Sequence, residues 1–248
     1  MVQCSISKNK VQVCSSLKTI IRSREDCCRE AAQQICRLLE KKPDAVLALA
    51  AGRTVAPLYE ELARLCDAGE LSLKKARVFA VTEFEAVPEE QSCRHMLERA
   101  LLSRTDLDPA NCHFLSAESV ESYEDAIRAA GGLDLAVLGL GDNAHVGYNE
   151  PATPYDSRTH RQKLTDVTRR QLADQFGGEE RVPAFAWTMG IKTLVEARQI
   201  LVLAFGEEKA KPAFQMLYAR DDSFVPAAFL QLPLEVTVYL DEAAAAKI

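Results

Sequence analysis

Asn143, His145 and Glu150 stand close together in the stretch Leu138-Gly-Leu-Gly-Asp-Asn-Ala-His-Val-Gly-Tyr-Asn-Glu-Pro151, directly after an apolar run from Leu133 to Leu140. A plain connecting loop has no need of three such side chains. His145 is the one among them whose ordinary pKa lies near neutrality, which suits it to moving a proton. Glu150, kept extended by Pro151, puts a carboxylate within reach of it. Zinc is disfavoured, because no second histidine or cysteine stands at ligand spacing nearby. A serine hydrolase is disfavoured too, because the Gly-x-Ser-x-Gly elbow is missing.

A second group of residues could hold an anion. Leu49–Thr54, Leu138–His145 and Leu203–Lys209 each pass from an apolar run through glycine to polar residues that open a helix. Helix starts offer free N–H groups and partial positive charge, a setting that favours phosphate. Gly52, Arg53 and Thr54 add a guanidinium and a hydroxyl, and Lys209 a further cation. Neither the Walker spacing nor a dinucleotide glycine pattern is present.

The elements that must position these groups alternate between strand and helix. Lys10–Val13, Ala45–Ala51, Arg77–Val81, Asn111–Leu115, Leu133–Leu140, Gln199–Phe205 and Glu235–Leu240 read as strands. Asp26–Lys42, Thr54–Cys66 with Thr54 as N-cap, Ser92–Leu102, Ser119–Ala130, Asp166–Phe176, Thr188–Glu196 and Gly206–Tyr218 read as helices. This alternation predicts an α/β fold, Rossmann-like, with a mostly parallel sheet and helices on both faces. In such a sheet the three glycine junctions share one edge, where ligands bind. Without a linker, repeat or low-complexity tract, residues 1–248 read as a single domain.

Composition excludes several classes. A net charge of −6 gives no global attraction for nucleic acid or an acidic membrane. Met1–Lys10 lack the apolar core of a signal peptide, and the longest apolar runs are too short to cross a bilayer. The eight cysteines lie in the first 112 residues with no Cys-x-x-Cys pair, so they read as free structural thiols of a cytoplasmic protein, Cys27 and Cys28 as core and surface neighbours.

The stretch Gly139–Pro151 resembles the glucosamine-6-phosphate deaminase (isomerase) family. The similarity extends through Ser157-Arg-Thr159, Thr188-Met-Gly-Ile-Lys-Thr193, Gly206-Glu-Glu-Lys-Ala210, Val225-Pro-Ala-Ala228 with Leu230-Gln-Leu232, and Asp241-Glu-Ala243. The 6-phosphogluconolactone hydrolases share the glycine–histidine loop but not Asn149-Glu150-Pro151. The resemblance implies conversion of glucosamine 6-phosphate and water to fructose 6-phosphate and ammonia, without metal or redox cofactor. His145 would assist ring opening, with Asn143 and Glu150 orienting and tuning it, while the Gly52 loop, Thr54 and Lys209 hold the phosphate. The implied partner is a small sugar phosphate, with no nucleic acid and no membrane, and self-association is left open.

Three positions depart from the family pattern. Thr82-Glu83 replaces Asp-Glu, removing the base that moves a proton between C2 and C1; Glu83 is expected on the opposite face, and Glu85 recovers the face only if the chain stays extended. Asp174 falls where the family has a phosphate-binding arginine, while Arg53 is gained, either to supply the lost cation or to pair with Asp174. Ala144 replaces a glycine, which is tolerable at negative φ. These departures leave two readings, a divergent deaminase/isomerase and a sugar-phosphate sensor of the same fold.

Overall fold

The computed structural model describes residues 16–219, 223–233 and 235–248. Its strands are β1 (Ser16–Ile21), β2 (Val46–Leu49), β3 (Arg77–Ala80), β4 (Thr82–Phe84), β5 (Cys112–His113), β6 (Leu135–Gly139), β7 (His160–Lys163), β8 (Phe185–Thr188), β9 (Gln199–Ala204) and β10 (Glu235–Leu240). The strand expected at Lys10–Val13 lies outside the described residues.

Seven strands pair in parallel in the order β1-β10-β9-β6-β2-β3-β5. Alternate side chains go to opposite faces: Val46, Ala48, Leu138 and Val202 join one apolar cluster, and Leu47, Leu49, Val137 and Leu203 the other. Burial on both faces is why these strands read as continuous apolar runs. From β2 the chain winds outward through β3 to β5, then returns to the other side of β2 as β6 and continues to β9. That reversal opens a crevice beyond the carboxyl ends of β2 and β6.

The helices are Arg24–Lys41, Ala56–Asp67, Cys93–Ala100, Tyr123–Ala129, Asp166–Phe176, Ile191–Val195 and Ala210–Tyr218. Asp166–Phe176 matches its expected bounds, with Gly177 closing it in the left-handed conformation. Thr54 is not a cap: the N-cap position of Ala56–Asp67 is Val55, which leaves the Thr54 hydroxyl out of that helix's bonding. Cys27 and Cys28 are both buried, so neither is a surface residue. The six described cysteines are free thiols.

A small antiparallel sheet, β4-β8-β7, was not expected. Its strands are only three or four residues long, and β7 alternates between half-buried and exposed positions. After Val81 the chain leaves the main sheet, and Thr82 pairs with Thr188 instead. Among the described residues no helix is long and apolar enough to cross a membrane.

Candidate active site

The carboxyl ends of β2, β6 and β9, neighbours in the sheet, open into a cavity of about 500 Å³. Its wall carries Gly52, Arg53 and Thr54 after β2, Gly141, Asp142 and His145 after β6, and Phe205, Glu208 and Lys209 after β9. The three junctions therefore meet, as a shared sheet edge requires. Three further elements complete the wall: Arg24 at the start of Arg24–Lys41, Thr82 with Cys93, and Thr168, Gln171, Leu172 and Gln175 along one side of Asp166–Phe176.

His145 is almost wholly buried and forms part of a defined chain of hydrogen bonds. Glu150 accepts from the Thr165 backbone N–H at 3.0 Å and from the Thr165 hydroxyl at 3.1 Å. It also accepts from Asn143 Nδ2 at 2.7 Å, which fixes the amide so that Asn143 Oδ1 faces His145 Nδ1 at 2.8 Å. Nδ1 therefore carries the proton and Nε2 is left with a lone pair. The Thr168 hydroxyl stands 3.1 Å from the same Nδ1. Burial pulls the imidazole pKa below its ordinary value; Glu150 opposes that, and Lys209 adds to it. The ring is neutral at neutral pH and can accept a proton at Nε2. Asn143 and Glu150 themselves lie behind His145, off the cavity wall.

The glycines of this loop act differently from the expected strand-end hinges. Neither Gly139 nor Gly141 adopts a positive φ. Gly141 is needed because a Cβ there would lie 2.3–2.4 Å from the His145 ring atoms. Left-handed conformations fall instead on Ala144, at φ 61°, and on Gly147, at φ 60°. The expectation of a negative φ at this substitution is thus corrected: an alanine bears a conformation that glycine adopts at less cost.

Thr82 faces the cavity and is buried, with its hydroxyl 3.5 Å from Cys93 Sγ. Glu83 faces away, as strand alternation requires. Its carboxylate accepts the backbone N–H groups of Phe84 (2.8 Å), Cys93 (2.8 Å) and Arg94 (2.9 Å), and so caps the helix Cys93–Ala100. Burial raises its pKa, and those three N–H groups pull the other way. Glu83 is a structural residue and not a member of the cavity. Glu83→Ala leaves three N–H groups without their acceptor and is expected to cost roughly 2–4 kcal/mol, read as a lower denaturant midpoint at unchanged m-value. Glu85 does not recover the face: the chain bends into the second sheet, and its carboxylate pairs twice with Arg161, at 2.7 and 2.8 Å. Cys93 is no substitute base, since burial pushes its thiol far up.

Lys209 is buried on the wall, with its ammonium hydrogen-bonded to the Asp142 carboxylate. Arg53 is exposed at the rim, and its carbonyl accepts from Arg24 Nη2 at 3.1 Å. Asp174 is exposed and off the wall, and among the described residues it forms no ion pair with Arg53, so it neither faces the cavity nor fills it through such a pair. Sequence reasoning missed Arg24, Asp142, Gln171 and Gln175. Arg24 stands two residues before the helix expected from Asp26, and a parallel sheet brings helix starts to the strands' carboxyl edge; that was the available signal. The site as a whole combines a cationic rim with one proton-accepting imidazole.

The pattern of the glucosamine-6-phosphate isomerases/6-phosphogluconolactonase family matches residues 22–239. Glucosamine-6-phosphate deaminase 2 of Giardia intestinalis is 36% identical over 240 residues, covering 93% of this chain and 91% of its own. The glucosamine-6-phosphate deaminase of Hahella chejuensis is 38% identical over 237 residues, covering 92% and 90%. Among solved structures, a monomeric glucosamine-6-phosphate deaminase superposes with a TM-score of 0.89 at 30% identity, covering 94% of this chain and 99% of that one. A 6-phosphogluconolactonase from Thermotoga maritima, at 22% identity and TM-score 0.73, shares the fold over 92% of this chain and 100% of its own.

Proposed function

This chain belongs to the glucosamine-6-phosphate isomerase/6-phosphogluconolactonase family, and we propose that its cavity takes a hexosamine 6-phosphate and water to the ketose 6-phosphate and ammonia. The observation that carries this reading is His145, oriented from behind by Asn143 and Glu150 and lining one cavity with Lys209 and the Gly52 turn. The sequence likeness to proteins named glucosamine-6-phosphate deaminase supports it.

In this reading the phosphate lies against the Gly52–Thr54 turn, Arg53 and Lys209. His145 Nε2 takes the proton of the anomeric hydroxyl and returns it to the ring oxygen, opening the sugar. Asn143 keeps the imidazole in the required tautomer, and Glu150 stabilises it while it is charged. Transfer of a proton from C2 to C1 then falls at position 82, where threonine offers no base. Turnover is accordingly slow, and hydrolysis at C2 releases ammonia.

Purified full-length protein with glucosamine 6-phosphate is expected to release ammonia and fructose 6-phosphate in equal amounts. A second reading, a sensor that binds without turnover, is favoured by one observation: among the described residues no carboxylate stands beside Thr82 in place of the missing base. Absence of ammonia together with a ligand-induced rise in Tm would select the sensor; absence of both would overturn the sugar-phosphate reading.

A further inference from the structure

We propose that Arg24 is a phosphate-binding residue of this cavity and sets its preference for phosphorylated over unphosphorylated sugar. The inference rests on the sugar-phosphate reading above and deepens it. Arg24 comes from the first turn of Arg24–Lys41, far in sequence from the three junctions, yet lines the same cavity as Arg53 and Lys209.

Its head group is held at two points. Nη2 donates to the Arg53 carbonyl at 3.1 Å, and the guanidinium carbon lies 5.5 Å from the centroid of the Phe205 ring. Phe205 is itself buried at the end of β9. Among the described residues no carboxylate pairs with Arg24. Arg24 is exposed at the rim, but a fork held at two points, with donors to spare, matches a phosphate better than an untethered arginine does.

Charge on the wall points the same way. Lys209 is the buried cation, but its charge is already matched by Asp142. The side formed by Asp166–Phe176 presents uncharged Gln171 and Gln175. Glu208 adds a second carboxylate to the wall. A phosphate monoester carries about −1.5 to −2 at neutral pH. Even with Glu208 counted, the wall keeps an excess of positive charge, and that excess resides on Arg24 and Arg53.

The test uses the full chain and the variants Arg24→Gln and Arg24→Lys, with binding of inorganic phosphate and glucosamine 6-phosphate by calorimetry and KM and kcat for ammonia release. Arg24→Gln is expected to weaken both ligands and raise KM by about 10–100-fold, with kcat changed only a few-fold. Arg24→Lys is expected to fall between, since it keeps the charge and loses the fork. It also carries the test should Arg24→Gln fail to fold. Binding of both ligands at wild-type affinity by a folded Arg24→Gln, or by Arg24→Lys in its place, would overturn the role of Arg24 and leave the sugar-phosphate reading standing. A wild-type chain that binds neither ligand would overturn both.

Discussion

Thr82→Asp is expected to raise the rate of ammonia release by about 10²–10⁴-fold, the range that a positioned general base contributes. Position 82 is buried, lines the cavity and sits where β3 ends and the chain turns into β4. A hydroxyl there cannot accept a proton from carbon at neutral pH without an activating base, and its nearest side-chain partner is a thiol that burial keeps protonated. The carboxylates next to it in sequence are committed elsewhere, Glu83 to three backbone N–H groups and Glu85 to Arg161. An introduced aspartate would be partly desolvated, which raises its pKa towards that of an effective base. Thr82→Asn has nearly the same size but no proton-accepting carboxylate, and should give no gain. The measurement is kcat with glucosamine 6-phosphate. A folded Thr82→Asp that binds substrate but turns over no faster than wild type would mean that position 82 is not the place of the missing base.

His145→Gln should lower kcat by about 10²–10⁴-fold while KM changes little, the outcome expected if, as proposed, the imidazole moves protons and does not carry the phosphate. The pH profile supplies a second readout. Burial holds the imidazole pKa below its ordinary value, so kcat/KM should stay level through neutrality and fall only on the acid side, beneath the usual histidine range of about 6.5. The sign for stability follows from the same shift. Between the folded and unfolded pKa values the unfolded chain holds the proton and the folded chain does not, so stability increases with pH there. The contribution is complete above the unfolded value and is lost as pH falls through the folded one. A kcat for His145→Gln within a few-fold of wild type would remove the imidazole from the reaction.

The sequence disclosed much of this site because its parts are local. Asn143, His145 and Glu150 fall in one loop after one apolar strand, and Glu150 accepts from Thr165 only because that residue caps the next helix. The parallel sheet follows from uninterrupted apolar runs separated by helical periods, and a parallel sheet puts every strand-to-helix junction on one edge. Arg24 was hidden for the opposite reason: an arginine at a helix start reads as a solvated charge until the fold sets it over Phe205.

What the amino-acid order determined alone was the α/β architecture, the convergence of the strand-end junctions at Gly52, Gly141 and Gly206, and which histidine lines their cavity. What only the tertiary structure decided was where the remaining charges go. Pairing of Thr82 with Thr188 took Glu85 out of the cavity, packing left Asp174 in solvent, and Asp142 came to match Lys209. Strand and helix signals act over a few residues, whereas the partner of a charge depends on which distant segment lies against it; only the folded chain brings those segments together.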